Sequence, residues 1–212
     1  MNKHTFGVFY TETEDIANNS ISRFDGIMGL AKFDTSNQGV LSPVETLAKQ
    51  GLISQAITSY KISRVSDGLN DGEITFGGLD SSKFDSKTLV TVKNVNKKGF
   101  WEAPFTVSVG GKSLGLQGRT AILDTGTIFI IAPPADVKAV HAKIPGSKSD
   151  THGEYTLPCN NTAVVSLTFG GRAFDINPID LLFDPVDHNN LKGDCSSIFA
   201  AREIFGDPKE WL

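Results

Sequence analysis

The apolar positions of this chain fall into short alternating runs that end in glycine pairs. "EITFGGLD" (73–80), "FTVSVGGKSLGL" (105–116) and "VSLTFGGRAFDI" (165–176) each run into Gly-Gly, and in the last two the alternation resumes beyond it. Period-two alternation predicts half-buried strands. Gly-Gly loops suit the primed turns of β-hairpins, because glycine accepts positive φ. The pattern therefore predicts an all-β protein, antiparallel and rich in hairpins, with a few short helices. "SPVETLAKQG" (42–51) predicts one helix, with Ser42 as N-cap, Pro43 at the first helical position, Glu45 completing a capping box and Gly51 closing it. "PADVKAVHAKIPG" (134–146) predicts a second, with Val137, Val140 and Ile144 on one stripe and Pro145 ending it. The polar, turn-rich stretches 64–72 and 145–153 are expected as surface loops.

One run carries a charge where the pattern asks for none. In "AILDTGTIFIIAP" (121–133), apolar residues crowd both sides of Asp124, whose polar company is Thr125, Gly126 and Thr127. Apolar runs of this kind predict buried strands, and a carboxylate inside one is costly unless hydrogen-bonded or paired. Asp124 is therefore expected to be a buried acid. Glycine lets backbone amides fold back onto the carboxylate, and threonine hydroxyls can donate to it. The competing expectation is an ordinary turn in which the aspartate bonds its own backbone.

Composition narrows the function classes. At 212 residues the chain can bury a core as one large β domain or two smaller ones. A net charge of −4 leaves no basic stripe of the kind nucleic acid or anionic lipid requires, so neither a nucleic-acid nor a membrane partner is expected. The opening residues hold no apolar run fit for a signal peptide, and no segment is long enough to span a membrane. Cys159 and Cys195 fit a single disulfide in a secreted protein about as well as two thiols in a cytosolic one. Asn18 and Asn160 open N-x-S/T sequons, candidate N-glycosylation sites. His4, His141, His152 and His188 show no metal-ligand spacing, and no serine sits in a nucleophile elbow. His141 is expected at the surface or half-buried, and Trp101 as core or interface packing.

Several motifs together resemble a known family. "FDGIMGLA" (24–31), "GEITFGGLDSSKF" (72–84), "GFWEAPF" (99–105) and "AILDTGTIFIIAP" occur in the order and at the separations found in pepsin-like aspartic proteases of peptidase family A1, the fungal members in particular. "GEYTLPC" (153–159) and "DCSS" (194–197) fall where that family has its C-terminal-lobe disulfide, which implies a Cys159–Cys195 bridge. The resemblance implies a bilobal β protein in which each lobe supplies one D-T-G aspartate. Two such carboxylates share a proton because like charges so close cannot both ionise. One acts as base on a water that attacks the peptide carbonyl and the other as acid, with no metal, cofactor or covalent intermediate. Carried onto this sequence, Asp124 is the second-lobe catalytic aspartate, Thr125 bonds across the lobe interface, and Gly126 and Thr127 brace the carboxylate. Residues 1–88 become the end of the first lobe and the interlobe region, and 89–212 most of the second lobe. A secreted or vacuolar location follows by family.

The departures from the family pattern shape the expectation. There is one D-T-G; "FDTSN" (33–37) has Ser36 where glycine is needed, so Asp34 is expected to be a loop residue. The resemblance puts the first D-T-G and the flap upstream of Met1, and a Gly-Asp with a closing strand beyond "KEWL". Ile128 stands where the family carries a small hydroxyl residue. Asp25 is expected to bond turn amides, and Trp211 to be core in an intact lobe but exposed otherwise. The expected function is aspartic endopeptidase by family, on peptide or protein substrates, with the isolated chain inactive or nearly so. The partner completing the site would be the other lobe or a second copy. The rival expectations are a homodimeric single-motif protease and a non-catalytic β-lobe that binds.

Overall fold

The computed structural model describes residues 1–8, 10–11 and 26–212. Asn18 and Asp25 lie outside them. The chain divides into two compact units, Met1–Thr88 and Leu89–Leu212. No helix among the described residues is long and apolar enough to cross a membrane.

In the first unit, helix α1 (Pro43–Lys49) carries the expected caps. The Glu45 amide donates to Ser42 Oγ at 3.3 Å, and the Ser42 amide donates to Glu45 Oε2 at 2.8 Å. Gly51 leaves the helix at φ +68°. Strands β1 (Thr58–Lys61) and β2 (Glu73–Phe76) pair antiparallel, Thr58 opposite Phe76. The glycine pair after β2 is not a hairpin tip, which corrects the expectation for 73–80. The strand has already paired backwards with β1, and the Gly77 amide donates to the Ile57 carbonyl at 2.8 Å. A Cβ on Gly77 would lie 2.9 Å from Ile53 Cβ, so glycine serves close approach here.

The second unit begins with β3 (Glu102–Val109), β4 (Lys112–Ser113), β5 (Arg119–Ile122), β6 (Ile130–Ala132) and helix α2 (Pro134–His141). There follow β7 (Lys148–Ser149), β8 (Tyr155–Pro158), β9 (Val165–Phe169), β10 (Arg172–Ile176), β11 (Leu182–Pro185), β12 (Asp194–Ser197), β13 (Phe199–Ala201) and β14 (Glu210–Trp211). One sheet runs β10-β9-β3-β5-β14 with β4 against β3, a second runs β11-β12-β8-β7, and β13 pairs with β6. The other two glycine pairs do turn hairpins: Gly110 and Gly111 join β3 to β4 at φ +56° and +73°, and Gly170 and Gly171 join β9 to β10 at φ +56° and +83°. Two positive φ values in succession are the primed geometry that only glycine adopts cheaply. The antiparallel expectation fails at two places, since β13–β6 and β14–β5 are parallel.

Alternation decides the core. Ala103, Phe105, Val107 and Val109 of β3 are buried, and the last three pack with Val137 and Val140 of α2, Leu157, Leu181, Phe199 and Trp211. Trp211 is 1% exposed and meets Phe105 edge-on, ring centroids 5.0 Å apart. Helix α2 stops at His141, short of the predicted span, and Ile144 reaches the core from the turn that follows. Within the loop expected at 145–153, Lys148 and Ser149 form the short edge strand β7.

Candidate active site

The D-T-G segment links β5 to β6. Strand pairing stops where the Leu123 amide donates to the Trp101 carbonyl at 2.8 Å and resumes where the Ile130 amide donates to the Ile198 carbonyl at 3.0 Å. Within the loop, the Gly126 amide donates to Asp124 Oδ1 at 2.9 Å and Thr127 Oγ1 donates to Oδ2 at 2.7 Å. Both carboxylate oxygens are thus held by their own loop, through Gly126 and Thr127. A Cβ on Gly126 would stand 3.2 Å from Oδ1, so a side chain there would crowd the carboxylate it braces.

The expectation of a buried acid is wrong. Asp124 is exposed, as are Thr125 and Gly126. The flanking apolar residues lie open too, Leu123 at 57% and Ile128 at 71% exposure. The apolar run reads as continuous, but only its ends are strand. Ala121, Ile122 and Ala132 are buried, while residues 123–128 leave the sheet and turn outward. The Thr125 hydroxyl makes no hydrogen bond among the described residues. Asp34 sits exposed in a 3-10 turn, Phe33–Thr35, as a loop residue should.

The second unit also buries a polar cluster that sequence reasoning missed. Asp136 is 1% exposed and accepts from Arg119 Nε at 2.7 Å, Arg119 Nη2 at 2.8 Å and Trp211 Nε1 at 3.0 Å. It joins the start of β5, the first turn of α2 and β14. Such forked pairing satisfies a buried carboxylate, and it holds the Arg119 guanidinium above its ordinary pKa. His141 is likewise buried, 2% exposed, which corrects the surface expectation. Its Nδ1 lies 2.7 Å from the Val137 carbonyl and its Nε2 2.9 Å from Ser197 Oγ, while Tyr155 stacks on the ring at 4.0 Å. Burial pushes its pKa down, against the smaller opposing effect of the Val137 carbonyl. A usable signal existed: helical spacing puts Asp136 on the stripe of Val140, and His141 on that of Val137.

Cys159 and Cys195 form a disulfide with Cα atoms 5.0 Å apart, joining the end of β8 to β12. Asn160, next to the bridge, is exposed. Trp101 is 45% exposed.

The family model for eukaryotic aspartyl protease matches residues 2–208. The chain belongs to the eukaryotic aspartyl protease family. Within it, the chain is 38% identical over 209 residues to the probable aspartic-type endopeptidase CTSD of Arthroderma benhamiae, covering 98% of this chain and 39% of that protein. It is 34% identical over 210 residues to the aspartic-type endopeptidase ctsD of Aspergillus fumigatus, covering 98% and 42%. With rhizopuspepsin of Rhizopus chinensis the identity is 35% over 173 residues, covering 80% and 43%. The chain thus spans less than half the length of each of these relatives.

Proposed function

We propose that these residues supply one half of the catalytic centre of an aspartic-type endopeptidase, with Asp124 as the aspartate of the second lobe and peptides or proteins as substrates. The observation that carries this reading is the Asp124 carboxylate, fixed through both oxygens by Gly126 and Thr127 yet open to solvent. A carboxylate that activates a water against a peptide carbonyl needs a rigid seat and one open face. The exposed Leu123 and Ile128 beside it supply apolar surface for a covering partner or substrate.

The reaction needs a second carboxylate. One carboxylate takes a proton from the attacking water while its protonated partner gives its own to the carbonyl oxygen; the proton from water then passes to the leaving amine as the partner recovers its own. A single Asp124 cannot hold both states at once, so the isolated chain is inactive or nearly so. Assay of the chain on denatured haemoglobin at about pH 3–4, where a shared proton is retained, checks this. The expected result is no turnover above background; pepstatin-sensitive turnover abolished by Asp124→Asn would overturn it.

The Cys159–Cys195 bridge supports passage through an oxidising route, to the vacuole or the medium. Fractionation of cells expressing the tagged protein should find it there; a reduced cytosolic pool would argue otherwise.

A further inference from the structure

The face of the main sheet turned away from the core holds a carboxylate that accepts no hydrogen bond among the described residues. Register puts Ala103, Ala121 and Trp211 side by side on the core face, so the next residues along, Glu102 and Glu210, fall on the opposite face. Glu102 is opposite Ile122 and Glu210 opposite Thr120, so the two carboxylates flank β5 diagonally. Both line a cavity of about 480 Å³. Glu102 accepts from Asn96 Nδ2 at 2.6 Å. Glu210 is 8% exposed, and its carboxylate accepts no hydrogen bond among the described residues.

The Glu210 oxygens are not sealed from solvent; they meet it through the cavity, where a charged donor gains by pairing with them. The walls of the cavity are also built for positive charge. Phe100 and Phe205 stack at 5.5 Å to form its rim, and Lys98 Nζ hangs 6.0 Å from the Phe205 centroid, so the ring face already draws a cation. Asn96 Oδ1 accepts from the Lys98 amide at 2.7 Å and the Phe100 amide at 3.0 Å, which sets the loop of that rim. Glu102, Asp207 and Glu210 together outnumber Lys97 and Lys98 among the lining charges.

We propose that this cavity binds a small organic cation, a guanidinium or primary ammonium group seated between Glu210 and Glu102 with the Phe205 ring at its rim. Such a group supplies the donors that Glu210 lacks, and its flat or slender form suits an aromatic lip. The affinity depends on pH. Burial first, then the charges of Glu102 and Asp207, push the Glu210 carboxyl up, while Lys98 opposes them. In acid, Glu210 keeps its proton and the site is weak. As pH rises the proton leaves, and the cation takes its place.

Titration of the isotopically labelled chain with N-acetylarginine methylamide, followed by amide chemical shifts, tests this. The expected result is saturable shifts confined to residues around Asn96, Phe205 and Glu210, tighter at neutral than at acidic pH. N-acetylcitrulline methylamide, nearly isosteric with N-acetylarginine methylamide but uncharged, should give none, and Glu210→Gln should weaken binding roughly tenfold or more, the worth of a charged hydrogen bond. Phe205 is 67% exposed, so Phe205→Ala tests the rim without disturbing the core. Putrescine and N-acetylarginine methylamide separate the two sources of such a cation: tighter binding of the first points to free amines, of the second to basic peptide side chains. Absence of saturation, equal binding of N-acetylcitrulline methylamide, or unchanged affinity in both variants would overturn the proposal.

Discussion

His141 illustrates how a single side chain couples this fold to pH. In the neutral ring, Nδ1–H donates to the Val137 carbonyl and Nε2 accepts from the Ser197 hydroxyl, whose oxygen in turn accepts from the Phe199 amide at 3.2 Å. Burial lowers the folded-state pKa below the ordinary 6.5, so below that value the unfolded chain binds the proton more readily than the folded one. The stability that the neutral ring contributes is present above the ordinary pKa and lost as pH falls through the depressed one. His141→Gln, which keeps polar atoms but cannot titrate, should therefore melt below the unsubstituted chain at about pH 7.5 and close that gap towards about pH 4.5. A gap constant with pH would refute the coupling. At Asp124 the local chemistry was legible, because D-T-G-T names an acid, a donor amide and a donor hydroxyl within four residues. Its exposure was not legible, because the apolar neighbours say nothing about where the strand stops.

The elements around the loop hold together through Asp136. Strand β14 lies beside β5, the Leu212 amide donates to the Ile131 carbonyl at 2.9 Å, and Asp136 ties Arg119 and Trp211 to α2. Both stems of the Asp124 loop are thus fastened to the same short segment. Removing one partner of a buried ion pair strands the other, so Asp136→Ala should cost about 3–5 kcal/mol of unfolding free energy. Denaturant unfolding measures it, and a loss under about 1 kcal/mol would mean the pair behaves like a surface one. Among the elements, α1 was read completely, since its capping box, Pro43 and Gly51 all act within one helix. The hairpins at Gly110–Gly111 and Gly170–Gly171 were legible for the same reason. Gly77–Gly78 misled, because the close approach of Ile53 that makes glycine necessary comes from outside the strand. The parallel pairings of β13 and β14 had no local signature at all.

At the scale of the molecule, buried apolar side chains are unevenly shared. Among the described residues, Val44 alone of the buried hydrophobic ones belongs to the first unit; the rest, from Ala103 to Trp211, belong to the second. The second unit also holds the disulfide. Local opening is easiest where few apolar contacts resist it. Limited proteolysis of the native chain should cut first within Met1–Thr88 and leave a resistant product bounded near Leu89 that retains the Cys159–Cys195 bridge. Mass spectrometry of the early fragments decides this, and first cuts inside the β3–β9–β10 sheet would contradict it. By itself the sequence determined the caps of α1, two hairpin tips, the donors within reach of the Asp124 carboxylate and the family. Each of these is set by residues a few positions apart, where backbone preference and hydrogen-bond reach act directly. Tertiary structure alone decided that Asp124 faces solvent, that His141, Asp136 and Glu210 are buried, and that β5 and β6 take parallel neighbours. Burial and pairing depend on segments tens of residues distant, and no periodicity within a strand or helix records which of them will arrive.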